Sequence, residues 1–163
     1  MRSNIYLYLQ SLSETELYPL ISDLFRSMGY ERVTITHGTL EFGRDICFLE
    51  VDRLGRQIWR GVQIKASTVS GSLSSDAGIR NILNQCQAAL DTPYVTSEGK
   101  EVLLYEIILI STHPISEHAK LSVKGMLQQL GSSFHIIDGP KLADMIETYL
   151  PNLIESGLLR TEM

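Results

Sequence analysis

Two short stretches of this 163-residue chain carry residue types that can do hydrolytic chemistry together: Gly43-Arg44-Asp45 and Gln63-Ile64-Lys65. The runs Asp45 to Val51 and Gln57 to Ala66 are rich in β-formers, and Asp52-Arg53-Leu54-Gly55-Arg56 between them has the polar, glycine-bearing make-up of a hairpin loop. A turn at about Leu54-Gly55 sets Asp45 opposite residue 64 or 65, so the first strand begins and the second ends on one edge of a sheet. Period-two alternation puts Gln63 and Lys65 on one face and Ile64 on the other. A carboxylate and an amide oxygen can hold Mg²⁺, a hard ion that takes oxygen ligands and keeps several waters. The ion lowers the pKa of such a water and neutralises charge on a phosphate; a neighbouring lysine orients the attacking water or stabilises the transition state. Several kcal/mol from the ion and about 3 kcal/mol from a well-placed donor are ordinary magnitudes. The same residues admit a plainer reading, a cross-strand ion pair between Asp45 and Lys65. Gln63 is harder to explain that way, because an amide on an interior strand must find a partner or cost about 1–3 kcal/mol.

The elements that must position these groups follow from periodicity and punctuation. Ser13-Glu14-Thr15-Glu16 has the form of a capping box, which accounts for Glu16, and Leu17, Leu20, Ile21, Leu24, Phe25 and Met28 continue an amphipathic helix to Gly29. Pro19 is expected near the first turn of this helix, or between it and a shorter helix over Asn4 to Leu12. A short strand spans Arg32 to Thr36. Ser67 to Ser75 reads as a loop, Ile79 to Leu90 as a helix and Asp91 to Lys100 as an irregular connector. The nearly continuous apolar run Val102 to Ser111 predicts a strand covered on both faces. A helix over about Ser116 to Leu130, a strand over Phe134 to Ile137 and a helix over about Lys141 to Leu150 complete the order. The pattern predicts an α/β domain over residues 1–150, with a mixed β-sheet flanked by helices on both faces, and a tail or short helix over 151–163.

A composition of 44% apolar and 20% charged residues is that of an ordinary globular domain. No apolar run approaches the roughly 18 residues of a membrane span, and Arg2 is not followed by the pattern of a secretory signal, so a cytoplasmic protein with no membrane partner is expected. Cys47 and Cys86 lack metal-site or disulfide spacing and read as core thiols. The net charge of −5 weighs against nucleic acid as a partner, yet Arg44 to Arg80 holds six basic residues against four acidic ones. A mildly basic middle within an acidic body is compatible with phosphate contacts on one face.

Beyond this, Asp45 followed after a hairpin by Gln63-Ile64-Lys65, with a preceding helix ending in Met28-Gly29-Tyr30, resembles the Mrr-like restriction endonuclease branch of the PD-(D/E)XK nuclease superfamily. That branch commonly has glutamine at the second acidic position. Glu41-Phe42-Gly43-Arg44-Asp45-Ile46 is similar to the E-x-G-(K/R)-D-I segment of related defence nucleases, and Ile136 to Leu142 is similar to their closing strand and turn. The likeness runs from about Ser13 to Pro151 and implies a restriction endonuclease-like fold. It implies Asp45 as principal metal ligand, Gln63 at the second-acid position, Ile64 as a carbonyl ligand, Lys65 as catalytic lysine, and Glu41 as a further carboxylate, a residue that alone reads equally as a loop charge. Arg44, Arg60 and Gln85 are the expected nucleic-acid contacts. The helix acid common in such proteins falls here at Tyr18, so weak metal binding, with Mn²⁺ outperforming Mg²⁺, is expected.

The resemblance thus implies a Mg²⁺-dependent DNA endonuclease acting in antiviral defence, as a homodimer or within a larger defence assembly. The alternative from another class is a catalytically inactive module that keeps the nuclease fold for nucleic-acid binding or assembly.

Overall fold

The computed structural model describes residues 2–36, 43–68, 78–130 and 134–155. Helices α1 (Arg2–Gln10) and α2 (Glu14–Ser27) lead into strands β1 (Glu31–Ile35), β2 (Ile46–Val51) and β3 (Gln57–Lys65). Helix α3 (Ile79–Asp91), the short strands β4 (Tyr94–Val95) and β5 (Glu101–Val102), strand β6 (Glu106–Ser111), helix α4 (Glu117–Leu130), strand β7 (Phe134–Ile137) and helices α5 (Gly139–Tyr149) and α6 (Pro151–Glu155) follow. The main sheet has the order β1-β2-β3-β6-β7; β1 to β3 are antiparallel, and β6 and β7 add in parallel. This is the expected mixed α/β architecture.

Two layers of helix cover the sheet because its inner strands are apolar on both faces. Ile46, Phe48, Val62, Ile64, Ile108 and Ile110 pack with α1, α2 and α5. Ile107, Leu109 and Phe134 face the other way, onto α3 and α4. A third cluster, Cys47, Leu49, Trp59, Tyr94 and Leu104, lies under the β4–β5 ribbon. Both cysteines are free and buried, as core thiols should be.

Local signals behave as physical chemistry dictates. The Ser13 hydroxyl accepts the Glu16 N–H at 3.2 Å while the Glu16 carboxylate accepts the Ser13 N–H at 3.3 Å, closing both halves of the capping box. Pro19, by contrast, lies inside α2 rather than in its first turn. Its ring faces solvent, where water can satisfy the carbonyl left without an N–H. The connector after α3 is ordered, with Tyr94 and Val95 pairing with Val102 and Glu101. Central strand β6 therefore begins at Glu106, not at Val102.

Candidate active site

The β2–β3 hairpin sets the geometry. Asp52 holds its turn, the carboxylate accepting the N–H groups of Leu54 and Arg56 at 2.9 Å, and Gly55 takes φ +80°. Such a left-handed position favours glycine. The ladder pairs Ile46 with Val62, which carries Asp45 to the level of Gln63, one to two residues short of the level expected from the turn alone. The Asp45 N–H bonds the Val62 carbonyl at 2.7 Å, and the Asp45 carboxylate Oδ2 accepts the Ile64 N–H, also at 2.7 Å. The side chain thereby takes over a main-chain donor of β3 and is oriented by it.

Asp45, Gln63 and Lys65 share the α3-facing side of the sheet. Gln63 and Lys65 are level with Leu109 and Ser111 of parallel strand β6, and Leu109 belongs to the cluster under α3 and α4. Ile64 points the opposite way, into the α1–α2–α5 core. Ile46 packs into the α1–α2–α5 core, so Asp45, one residue earlier, alternates to the α3 side; burial pushes the Cys86 thiol on α3 up to about 12, with the Lys65 ammonium pulling it down and the Asp45 carboxylate pushing it up. Because β3 and β6 are parallel and β2 runs against them, the start of β2 and the ends of β3 and β6 meet at one edge. There the Thr112 N–H bonds the Lys65 carbonyl at 3.2 Å, and the buried Ser111 hydroxyl sits between the carbonyls of Ser67 and His113.

Burial and hydrogen bonding separate these side chains by role. Asp45 and Gln63 are only 3% and 7% exposed. The Gln63 Oε1 is buried without a hydrogen-bond partner among the described residues, a cost of about 1–3 kcal/mol to the fold. The Gln85 Oε1, on α3, is in the same condition. Lys65 is half-buried, and the ion pairs among the described residues do not include it. Gly43, two residues before Asp45, has φ +76°, and a Cβ there would stand 2.5 Å from the main-chain oxygen of Gln85 and 3.5 Å from Gln63 Oε1. The approach to β2 therefore lies directly against α3.

Two of the residues expected against nucleic acid, Arg44 and Arg60, are engaged within the fold. Arg44 is 3% exposed; its guanidinium donates to the carbonyls of Thr92 at 2.6 Å and Ala89 at 3.4 Å and lies 5.8 Å from the Tyr94 ring centre. It ties the end of α3 to the sheet. Arg60 is held by Glu106 at 3.0 Å and Glu50 at 3.2 Å, with Tyr105 beneath it. It sits five residues back along β3 from Lys65, about 16 Å away. Glu41 lies outside the described residues. The sequence reading passed over one acid at this edge: Glu14, the first residue of α2, whose Oε1 accepts the Ala66 N–H at 3.4 Å. Its place in the first turn of a capped helix gave a purely local explanation, and only the docking of α2 on the sheet brings it beside the residue after Lys65.

The donor set suits a hard cation. Among the described residues no three His, Cys, Asp or Glu side chains cluster, and the oxygens beside Asp45 are those of amides and the main chain. The unmet carbonyl oxygen of Gln63 is of the type that a hard cation accepts.

A mixed sheet with helices on both faces, presenting a buried acid, an amide and a lysine at one strand edge, defines a nuclease domain of the restriction endonuclease-like class. The chain belongs to the Mrr_cat restriction endonuclease family, whose model matches residues 9–146. No curated protein and no solved structure matches it. As a member of this family the chain is a nuclease domain acting on DNA, and the family generally uses divalent metal ions. Among the described residues no helix is long and apolar enough to cross a membrane.

Proposed function

We propose that this chain is a divalent-metal-dependent DNA endonuclease in which Asp45, Gln63, Ile64 and Lys65 form the catalytic centre. The observation that carries the reading is the convergence of Asp45, Gln63 and Lys65 on one face at the strand edge, with the Gln63 oxygen buried and unmet. Asp45, Gln63 Oε1 and the main-chain oxygen of Ile64 would hold the ion, Mg²⁺ or Mn²⁺. When bound, the ion supplies water activation and neutralises charge on the phosphate. Lys65 orients the attacking water and stabilises the charge that develops on the phosphoryl oxygens. The Ile64 N–H keeps the Asp45 carboxylate pointed at the site. Glu14 and Glu41 are the further carboxylates available to it, and Gln85 lines it from α3. With one buried acid and neutral amides, metal affinity is low, and Mn²⁺ supports the reaction better than Mg²⁺.

Cutting both strands of a duplex requires two such centres, so the proposal extends to a homodimer or a larger assembly. A role in cytoplasmic antiviral defence rests on the likeness of Glu41 to Ile46 to defence nucleases. Plasmid cleavage tests the core of it: supercoiled DNA should be nicked and linearised with Mn²⁺ or Mg²⁺, Asp45→Ala should abolish this, and Lys65→Ala should slow it by about 10²–10³-fold. DNA binding without nicking, unaltered by either substitution, would identify a non-catalytic binding module instead. Sedimentation of a strict monomer that still linearises plasmid in one event would remove the dimer.

A further inference from the structure

We infer that Gln85 gives its side-chain oxygen to the same divalent ion as Asp45 and Gln63, so that α3 is a third wall of the metal site. The inference rests on the metal-dependent reading above and adds a ligand to it. Only four buried side-chain atoms lack hydrogen-bond partners among the described residues, and two of them are the Oε1 atoms of Gln63 and Gln85. The Gln63 side-chain oxygen and the Gln85 main chain both lie against Gly43. A Cβ there would contact Gln63 Oε1 at 3.5 Å and collide with the Gln85 main-chain oxygen at 2.5 Å, so the bare, left-handed glycine is what lets α3 come level with the end of β3.

A buried amide oxygen without a hydrogen-bond donor costs about 1–3 kcal/mol unless a positive centre compensates it. No N–H or O–H of the described residues fills that role for either glutamine oxygen. A hard divalent cation does, since it takes six or more oxygens and accepts side-chain amides among them. Neutral ligands on β3 and α3 leave Asp45 as the one described side chain that brings charge to this trio. The charge of residue 85 then controls affinity directly, because ion affinity in oxygen sites scales with the number of charged ligands.

Titration of the metal-free full chain with Mn²⁺, followed by the electron paramagnetic resonance signal of the free ion and without DNA, tests this. Gln85→Ala should weaken Mn²⁺ binding about 3- to 10-fold, and Gln85→Glu should tighten it by a similar factor. Gln87→Ala, whose native side chain bonds Asp91 at 3.0 Å, should leave it unchanged. Opposite shifts from Ala and Glu cannot come from a common loss of fold, which circular dichroism checks in parallel. If both Gln85 variants bind Mn²⁺ like the wild type while Asp45→Asn does not, Gln85 is no ligand and the Asp45-centred site stands. If Asp45→Asn also binds like the wild type, the metal-dependent reading falls with it. Weaker DNA binding by Gln85→Ala at unchanged Mn²⁺ affinity would assign the oxygen to DNA and overturn the inference.

Discussion

The Asp45 carboxylate accepts the main-chain N–H of Ile64 at 2.7 Å, so one acid both closes the β2–β3 hairpin at its open end and faces the α3 side of the sheet. Its structural and chemical duties can be separated. Asn at position 45 keeps an oxygen for the Ile64 N–H, whereas Ala leaves that buried donor unmet. Asp45→Ala should cost about 1–3 kcal/mol of stability and Asp45→Asn much less. Both should abolish metal-dependent cleavage. Urea denaturation beside plasmid nicking measures the two effects, and equal stability losses would show that the hydrogen bond carries little.

Lys65 offers the converse case. It is half-buried and absent from the ion pairs of the described residues, so its removal should be nearly silent in stability. Lys65→Ala should reduce the cleavage rate by about 10²–10³-fold, the usual effect of deleting one transition-state donor, with an unfolding midpoint close to wild type. A large drop in stability at unchanged rate would make the residue structural.

Gly43 and Gly55 both adopt left-handed φ, +76° and +80°, but only Gly43 is crowded. Ala at Gly55 meets open space and should cost only the conformational penalty of about 1–2 kcal/mol. Ala at Gly43 pays that and must also push α3 off the sheet, adding about 1–3 kcal/mol of overpacking. Chemical denaturation of the two variants gives the comparison. Equal losses would mean that α3 yields without cost.

The thiols make stability pH-dependent. Burial pushes Cys47 to about 11 and Cys86 to about 12, against an ordinary value of 9.0. Between roughly pH 9 and 11 the unfolded chain has released protons that the folded chain still holds, so folding stability falls as pH rises through that window. Burial also raises Tyr30 and Tyr94, which extends the fall to higher pH. Urea midpoints at pH 8, 9 and 10 should decline, and Cys47→Ala should flatten the slope. A constant midpoint would contradict the burial of these groups.

Arg60 is held between two carboxylates of the sheet. Replacing it with Met should destabilise the chain, because Glu50 and Glu106 then lose their shared partner in a partly buried setting; about 1–3 kcal/mol is the expected scale. The salt dependence of DNA binding should keep its slope, since no phosphate contact is lost. A slope reduced by about one unit would place Arg60 against DNA.

What could be read from the chain alone was whatever depends on neighbours a few residues apart. The capping box of Ser13 and Glu16, the hairpin turn at Gly55 and the alternation of Gln63, Ile64 and Lys65 are all of this kind. Their energies are set by contacts within about a turn of helix or across one hairpin, so residue type and spacing suffice. Packing between distant segments settled the remainder. Arg44 looks like a basic residue beside an acid until α3 arrives and its guanidinium closes on carbonyls 45 and 48 positions away. Glu14 is a first-turn acid until α2 docks beside Ala66, and Gln85, expected against nucleic acid, has its main chain brought onto Gly43, within reach of which Gln63 Oε1 also lies. Desolvation acts through three-dimensional proximity, and one-dimensional spacing carries no record of which surfaces will exclude water from one another.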